Sequence, residues 1–304
     1  MKKLFTLMAL AFVCTAATAQ NDTTTVSISV KTDTIPEKKS DTIRVGNIVI
    51  VTSGKHNWDY GTNITVEKDH HRHQSNVSTN WLVFDLGFEN YSDQTNYPAA
   101  TAGQFLVNQP GTTYPLGPGD FKLKANKSVD VNIWLFMQRL NLYQHRLNLI
   151  YGLGIELNNY RFNSNISFKD AGYAPYPSIT NAIPHGYVIR DSISFSKNKL
   201  AADYVTVPVM LNFAGNPENH NRGISFSAGI SIGYLYNSRN KQISAERGTF
   251  KNFGPFGVEQ FKFSYVAELG LGPVRLYGSY SPQSIFEEGL DLRSYAIGIR
   301  LGYW

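Results

Sequence analysis

From Trp81 onward, apolar residues repeatedly take every second position for runs of about ten residues. One run sets Leu82, Phe84, Leu86 and Phe88 against Val83, Asp85, Gly87 and Glu89. Another sets Val129, Val131, Ile133, Leu135 and Met137 against Asp130, Asn132, Trp134, Phe136 and Gln138, and a third sets Leu147 to Leu157 against Asn148, Ile150, Gly152, Gly154 and Glu156. "YVTVPVMLNF", "GISFSAGISIGYLY", "QFKFSYVAELGL", the shorter "PVRLYGSYS" and the terminal "YAIGIRLGYW" continue the pattern. Alternation with period two places one set of side chains on each face of a strand. Here one face is Leu, Ile, Val, Phe and Tyr, and the other is small or charged. In water such a face needs a second layer over it. The run length instead suits a strand that crosses a bilayer at a tilt, with acyl chains covering the apolar face.

The links between these runs alternate in length. A long link (about 91–127) is followed by a tight one at 141–145, a long one (160–202), a short one (214–222), a long one (239–258), the tight "GLGP" at 270–273 and a medium one (282–292). An up-and-down barrel puts successive turns at opposite ends, and outer-membrane barrels keep short turns on the periplasmic side and longer loops outside. A soluble two-layer sandwich, the architectural rival, has no reason to keep that rhythm. The expected fold is therefore all-β, a transmembrane up-and-down antiparallel barrel over 79–304. Eight strands are expected, or ten if "HGYVIRDSISF" forms a further membrane hairpin; Arg190 and Asp191 favour an extension above the membrane.

A sheet in lipid must close, because nothing there satisfies a free edge. Eight strands leave an interior that side chains can fill, whereas open channels use about 16–18. The inward-facing charges Asp85, Asp130, Glu156, Lys262, Glu268, Arg275 and Arg300 carry both signs. Buried charges are tolerable when paired, so a cross-strand network of these seven and a plugged lumen are expected.

The N-terminus reads differently. Lys2 and Lys3 precede an apolar run, Leu4 to Val13, and Ala17-Thr18-Ala19 forms a small-x-small site, the pattern of a signal peptide over 1–19 cleaved near Ala19. The sole cysteine, Cys14, lies within it, so the mature chain is expected to hold no disulfide. Residues 20–78 are polar and Thr/Asp/Lys/Ser-rich, a mostly flexible periplasmic leader with a β-prone island near 44–51. Loss of Lys2 and Lys3 with the signal peptide lowers the formal charge from +5 to 5 − 2 = +3, which is modest and gives no argument for nucleic acid.

Few residues suggest chemistry. His70, His71 and His73 in "HHRH" are candidate metal ligands by residue type, against the reading of a solvated linker. His185, Asp191 and Ser192 share a long external link and are the candidate catalytic set, against an ordinary polar loop. Such sets are recognised by geometry, not order. Trp81, Tyr160, Tyr204, Tyr234, Tyr236, Tyr303 and Trp304 lie near strand ends and are candidates for interfacial girdles.

The stretches "WLVFDLGFENY", "KSVDVNIWLF", "YGLGIELNNYRF", "VTVPVMLNF", "SFSAGISIGY" and "YAIGIRLGYW" resemble the small outer-membrane β-barrels abundant in Bacteroidetes, the PorT-like and OmpA-type barrels. The resemblance implies a Gram-negative outer-membrane location, and it brings no catalytic residues and no cofactor. The implied partners are outer-membrane lipid, the barrel-assembly machinery during insertion, and an envelope protein or ligand at the external loops. The implied function is non-enzymatic, in envelope integrity, secretion support or binding; a rim enzyme acting on protein or lipid and a narrow pore are the alternatives.

Overall fold

The structure is a computed structural model that describes residues 40–45, 48–53, 64–68, 75–176, 179–217 and 223–302. Cys14, the cleavage site at Ala19, His70, His71, His73, Tyr303 and Trp304 lie outside the described residues. The chain divides into two compact units, Met1–Gln74 and Ser75–Trp304.

In the first unit, β1 (Ser40–Val45), β2 (Ile48–Ser53) and β3 (Ile64–Lys68) form an antiparallel meander. Ser40 pairs with Ser53, and Ile48 with Lys68. The single β-prone island is thus one part of a three-stranded sheet. Its partner β3 is the short "ITVEK", too brief to show a period.

The second unit runs through β4 (Val77–Asp93), helix α1 (Tyr97–Ala102), β5 (Leu106–Val107), a 3-10 turn at Ala125–Lys127, β6 (Val129–Tyr143) and β7 (Leu147–Phe162). The short strands β8 (Ile166–Lys169), β9 (Gly172–Tyr173), β10 (Ala182–Ile183) and β11 (Tyr187–Arg190) follow. Then come β12 (Lys197–Ala214), β13 (Ile224–Ser244), β14 (Gly248–Phe253), β15 (Phe261–Leu271), β16 (Val274–Ser284) and β17 (Leu292–Leu301).

Eight of these close a ring. Each of β4, β6, β7, β12, β13, β15, β16 and β17 pairs antiparallel with its neighbour in the chain, and β17 returns to β4, with Leu301 opposite Phe84 and Leu292 opposite Asp93. The ten-stranded alternative is not adopted. β11 pairs with β8 and, parallel, with β5, in a separate three-stranded sheet. β14 extends the ring locally by pairing with the far end of β13.

The wall is apolar outside. Val205, Val207, Val209, Leu211 and Phe213 on β12 are exposed, as are Phe84, Leu86 and Phe88 on β4 and Ile297, Ile299 and Leu301 on β17. Asp85, Glu89, Thr206, Met210, Glu268 and Arg300 face inward and are buried. The β12 ladder to β7 is broken at Val207 and Pro208, where proline has no N–H to donate, while Pro208 still pairs in register with Ser231 on β13.

The alternation expected for β6 fails halfway. Leu135 is skipped against β7, so that Trp134 faces Gly154 but Phe136 faces Leu153. The bulge reverses the faces below it. Met137 is fully buried in the lumen, and Phe136 and Gln138 turn to the outside instead of the inside. On β4 the matching reversal occurs at Leu82, whose φ is +54°, so Trp81 and Leu82 both project outward. Trp81 then packs on Phe136 with ring centroids 6.0 Å apart. The girdle reading also needs correction at Tyr160 and Tyr204, which point inward and are buried. Tyr234 and Tyr236 are exposed.

One end of the ring carries the links at 144–146, 215–223 and 272–273, and β4 begins there. The other end carries 94–128, 163–196, the β13–β14 extension and 285–291. These four links fold together over the mouth. Ala100, Leu106, Phe121, Phe168, Val188, Phe256, Phe286 and Leu290 form with Tyr160, Leu200 and Tyr204 one buried apolar core. By burying its own apolar side chains the cap holds its shape without the bilayer.

Candidate functional site

Two arrangements of polar side chains stand out, one inside the ring and one on the cap. Inside, Arg300 on β17 forks onto Asp85 of β4, with Nε to Oδ1 and Nη2 to Oδ2 both at 2.7 Å. Its third nitrogen donates to Glu268 at 2.6 Å, and Arg275 donates to the other oxygen of Glu268 at 2.8 Å. Lys262 pairs with Glu156 and donates to Asn158 at 3.0 Å. Asp130 accepts from Tyr277 Oη at 2.6 Å and from Asn132 at 3.0 Å. All seven charged residues singled out above therefore lie inside the ring, in two ion-paired groups (Asp85, Glu268, Arg275 and Arg300; Glu156 and Lys262) and one hydrogen-bonded group around Asp130.

The network also draws on residues not chosen from charge alone. Trp134 donates its indole N–H to Asp85 at 2.8 Å, and Tyr277 reaches Asp130. Glu89, buried, accepts from the backbone N–H of Asn159 at 3.0 Å. Their inward phase was readable; a donor on an aromatic ring in a polar interior usually finds a partner. The space left among Asp85, Asn132, Trp134, Glu156, Met210 and Arg300 is about 30 Å³.

On the cap, β11 separates the members of the candidate catalytic set. His185 precedes it, stacks on Phe105 with centroids 3.9 Å apart, and turns Nδ1 to the Gly186 carbonyl at 3.0 Å. Asp191 follows it, accepting from Ser167 Oγ at 3.1 Å and pairing with Arg247 at 3.2 Å. About 13 Å of extended chain lies between the two ends of β11. Ser192 lines the cavity on the Asp191 side, away from His185. The three residues do not converge, so they supply no nucleophile–base pair.

That cavity is the larger feature, about 670 Å³. Tyr114, Tyr173, Tyr176 and Tyr187 line it with Asn108, Gln109, Lys169, Arg190 and Arg247. Arg190 forks onto Asp120, with Nη2 to Oδ2 at 2.6 Å, and also meets the Tyr114 carbonyl. Tyr187 Oη donates to the Tyr173 carbonyl at 2.9 Å. Burial raises the phenol pKa of both Tyr176 and Tyr187, and Asp191 adds to the rise at Tyr176, so both stay neutral donors at physiological pH. Tyrosine rings beside amide and cationic side chains can stack on a flat ligand and hydrogen-bond its rim. Among the described residues no cluster of His, Cys, Asp and Glu is placed to hold a metal ion.

A closed eight-stranded meander, greasy outside and polar within, with short turns at one end and long folded links at the other, defines a transmembrane barrel of the outer-membrane type. The chain belongs to the outer membrane protein beta-barrel domain family, which it matches over residues 73–289, and its place is the outer membrane. Among solved structures it is similar to Ail, the attachment invasion locus protein of Yersinia pestis. For the Ail structure in complex with the heparin analogue sucrose octasulfate, identity is 10%, the TM-score is 0.29, and the match covers 73% of this chain and 98% of that one. A porin mutant of Rh. blastica is similar at 9% identity with a TM-score of 0.16, covering 75% of this chain and 100% of that one. No curated protein matches.

Proposed function

We propose that this chain is a non-enzymatic outer-membrane barrel with a lumen plugged by its own charge network, which binds a soluble ligand in the tyrosine-lined cavity of its cap. The observation that carries the reading is that cavity: about 670 Å³ on the external side, walled by four tyrosines and three cations. Ligand sites are typically concave, mostly preformed and of this size. The rim-enzyme alternative loses its support with the separation of His185 from Asp191 and Ser192. Ion-paired side chains that leave only about 30 Å³ between them oppose the narrow-pore alternative.

On this reading the signal peptide is removed near Ala19, the polar leader between it and the barrel unit that begins at Ser75 lies in the periplasm, outer-membrane lipid wets the wall, and the assembly machinery inserts it. Ligand binding at the loops would serve envelope integrity or secretion support, as the resemblance to PorT-like Bacteroidetes barrels implies. The test is a screen of the detergent-solubilised full chain against immobilised oligosaccharides and peptides, with a Tyr173→Ala/Tyr176→Ala variant beside it. Binding that the wild type shows and the variant loses supports the cavity; binding equal in both, or none in either, overturns it.

A further inference from the structure

The outer wall changes character above the apolar band. On β12 the outward phase reads Phe213, Leu211, Val209, Val207 and Val205, all exposed, then Asp203 and Ala201, both buried, and the half-buried Lys199 and Lys197 toward the external end. Strand register places Arg161 of β7 opposite Lys199, Lys199 opposite Lys241 of β13, and Lys241 opposite Lys251 of β14. Four cations therefore stand side by side across four strands, a row about 14 Å wide at the usual strand spacing. Arg239 and Lys197 flank it on the same face.

Like charges directly opposite one another destabilise a sheet, and little within the chain offsets these. Asp203 pairs with Arg239. Lys199 donates to Asn159, and Arg161 donates to the Ser196 carbonyl at 3.2 Å while its Nε is buried with no partner. Among the described residues no carboxylate is paired with Lys197, Lys199, Lys241 or Lys251. The inner face at the same level is neutral: Asn240 donates to Asn198, and Asn198 and Gln242 donate to β8. The excess charge is thus confined to the side that continues the lipid-facing wall.

A surface of one sign, continuous with an apolar band already wetted by acyl chains, fits the layer those chains belong to. We propose that the row Arg161–Lys199–Lys241–Lys251 binds the phosphate groups of a phosphorylated glycolipid in the outer leaflet, in the way basic residues beside a membrane bind anionic headgroups. The row is wide enough to meet two phosphates at opposite ends of a disaccharide headgroup. It lies on the outer wall, so it is separate from the tyrosine-lined cavity and does not depend on that reading.

The test compares the detergent-solubilised full chain with a Lys241→Gln/Lys251→Gln variant, which leaves the Lys199 and Arg161 hydrogen bonds in place. The fast-running band of unheated samples on a gel checks folding, and a Lys241→Arg/Lys251→Arg variant checks that charge is what matters. Diphosphorylated lipid A is the probe. The expected result is that lipid A raises the unfolding temperature of the wild type and the arginine variant. Its apparent Kd is at least tenfold weaker for the glutamine variant, and fully dephosphorylated lipid A shifts none of the three. Equal affinity for the glutamine variant, or an equal shift with dephosphorylated lipid, overturns the proposal. Inorganic phosphate alone reproducing the shift would make the row a soluble-anion site and overturns it too.

Discussion

Arg300 and Asp85, 215 positions apart in sequence, stand directly opposite each other on the last and first strands of the ring and make a two-pronged ion pair across the closing seam. Trp134 Nε1 bonds the same carboxylate, and the guanidinium lies 5.8 Å from the indole ring. Seam, lumen network and aromatic packing therefore meet at one point.

Removing one partner leaves a buried charge without its counterion, which typically costs 3–5 kcal/mol. Asp85→Ala and Arg300→Ala are each expected to lower barrel stability by roughly that amount. The double replacement Asp85→Leu/Arg300→Met should cost less than the sum of the two. Urea unfolding in detergent micelles, followed by tryptophan fluorescence, measures all three; additive costs would contradict the pairing.

The seam also needs two bare backbone positions. Gly87 and Gly298 are direct partners across it, and a Cβ on Gly298 would come 2.5 Å from Gly87 Cα and 2.6 Å from the ring of Tyr277, whose hydroxyl holds Asp130. Gly298→Val is expected to prevent closure or displace Tyr277. The readout is the fraction of refolded protein that runs fast on an unheated gel. Gly111→Ala, at a loop position with open space around it, should refold more nearly like the wild type despite its φ of +76°.

Arg190 ties the cap rather than the barrel, linking β11 to Asp120 and to the Tyr114 carbonyl. An exposed pair of this kind is worth about 0–1 kcal/mol. Arg190→Ala should therefore leave global unfolding within about 1 kcal/mol of the wild type. Limited proteolysis should cut the 108–120 segment faster. Unchanged cleavage would mean that the apolar core of the cap, not this cation, fixes the loop.

Ion conductance tests the lumen. The reconstituted wild type is expected to carry no stable current in planar bilayers, because the seven interior charges pair or hydrogen-bond with one another or with neighbouring polar groups. Simultaneous Lys262→Ala and Arg275→Ala, which remove two long side chains from the interior, should raise single-channel events above that baseline. A large, stable wild-type conductance would refute the plugged lumen.

The barrel was legible because lipid replaces a second protein layer. Each strand then carries its own two-faced pattern, and the short and long links repeat in the chain itself. Strand count and inward charges such as Asp85 and Arg300 follow from that local period. The reversal at Leu82 and Leu135 was not legible, since a bulge consists in one strand slipping against another and leaves both runs apolar. Of the girdle candidates, Tyr160 and Tyr204 turn to the cap core, because strand-end aromatics can face lipid or a cap, and only the cap decides.

What the sequence alone determined is the class of wall this chain builds: alternation is a property of neighbouring residues, and it survives any choice of partner strand. What only the tertiary structure decided is which distant residues meet. The mates of Arg300, the parting of His185 from Asp191, the cavity over β11 and the row of cations from Arg161 to Lys251 all depend on register between strands and on how four links pack together. Those are set by summed burial and pairing across the whole ring, and no local window of sequence contains them.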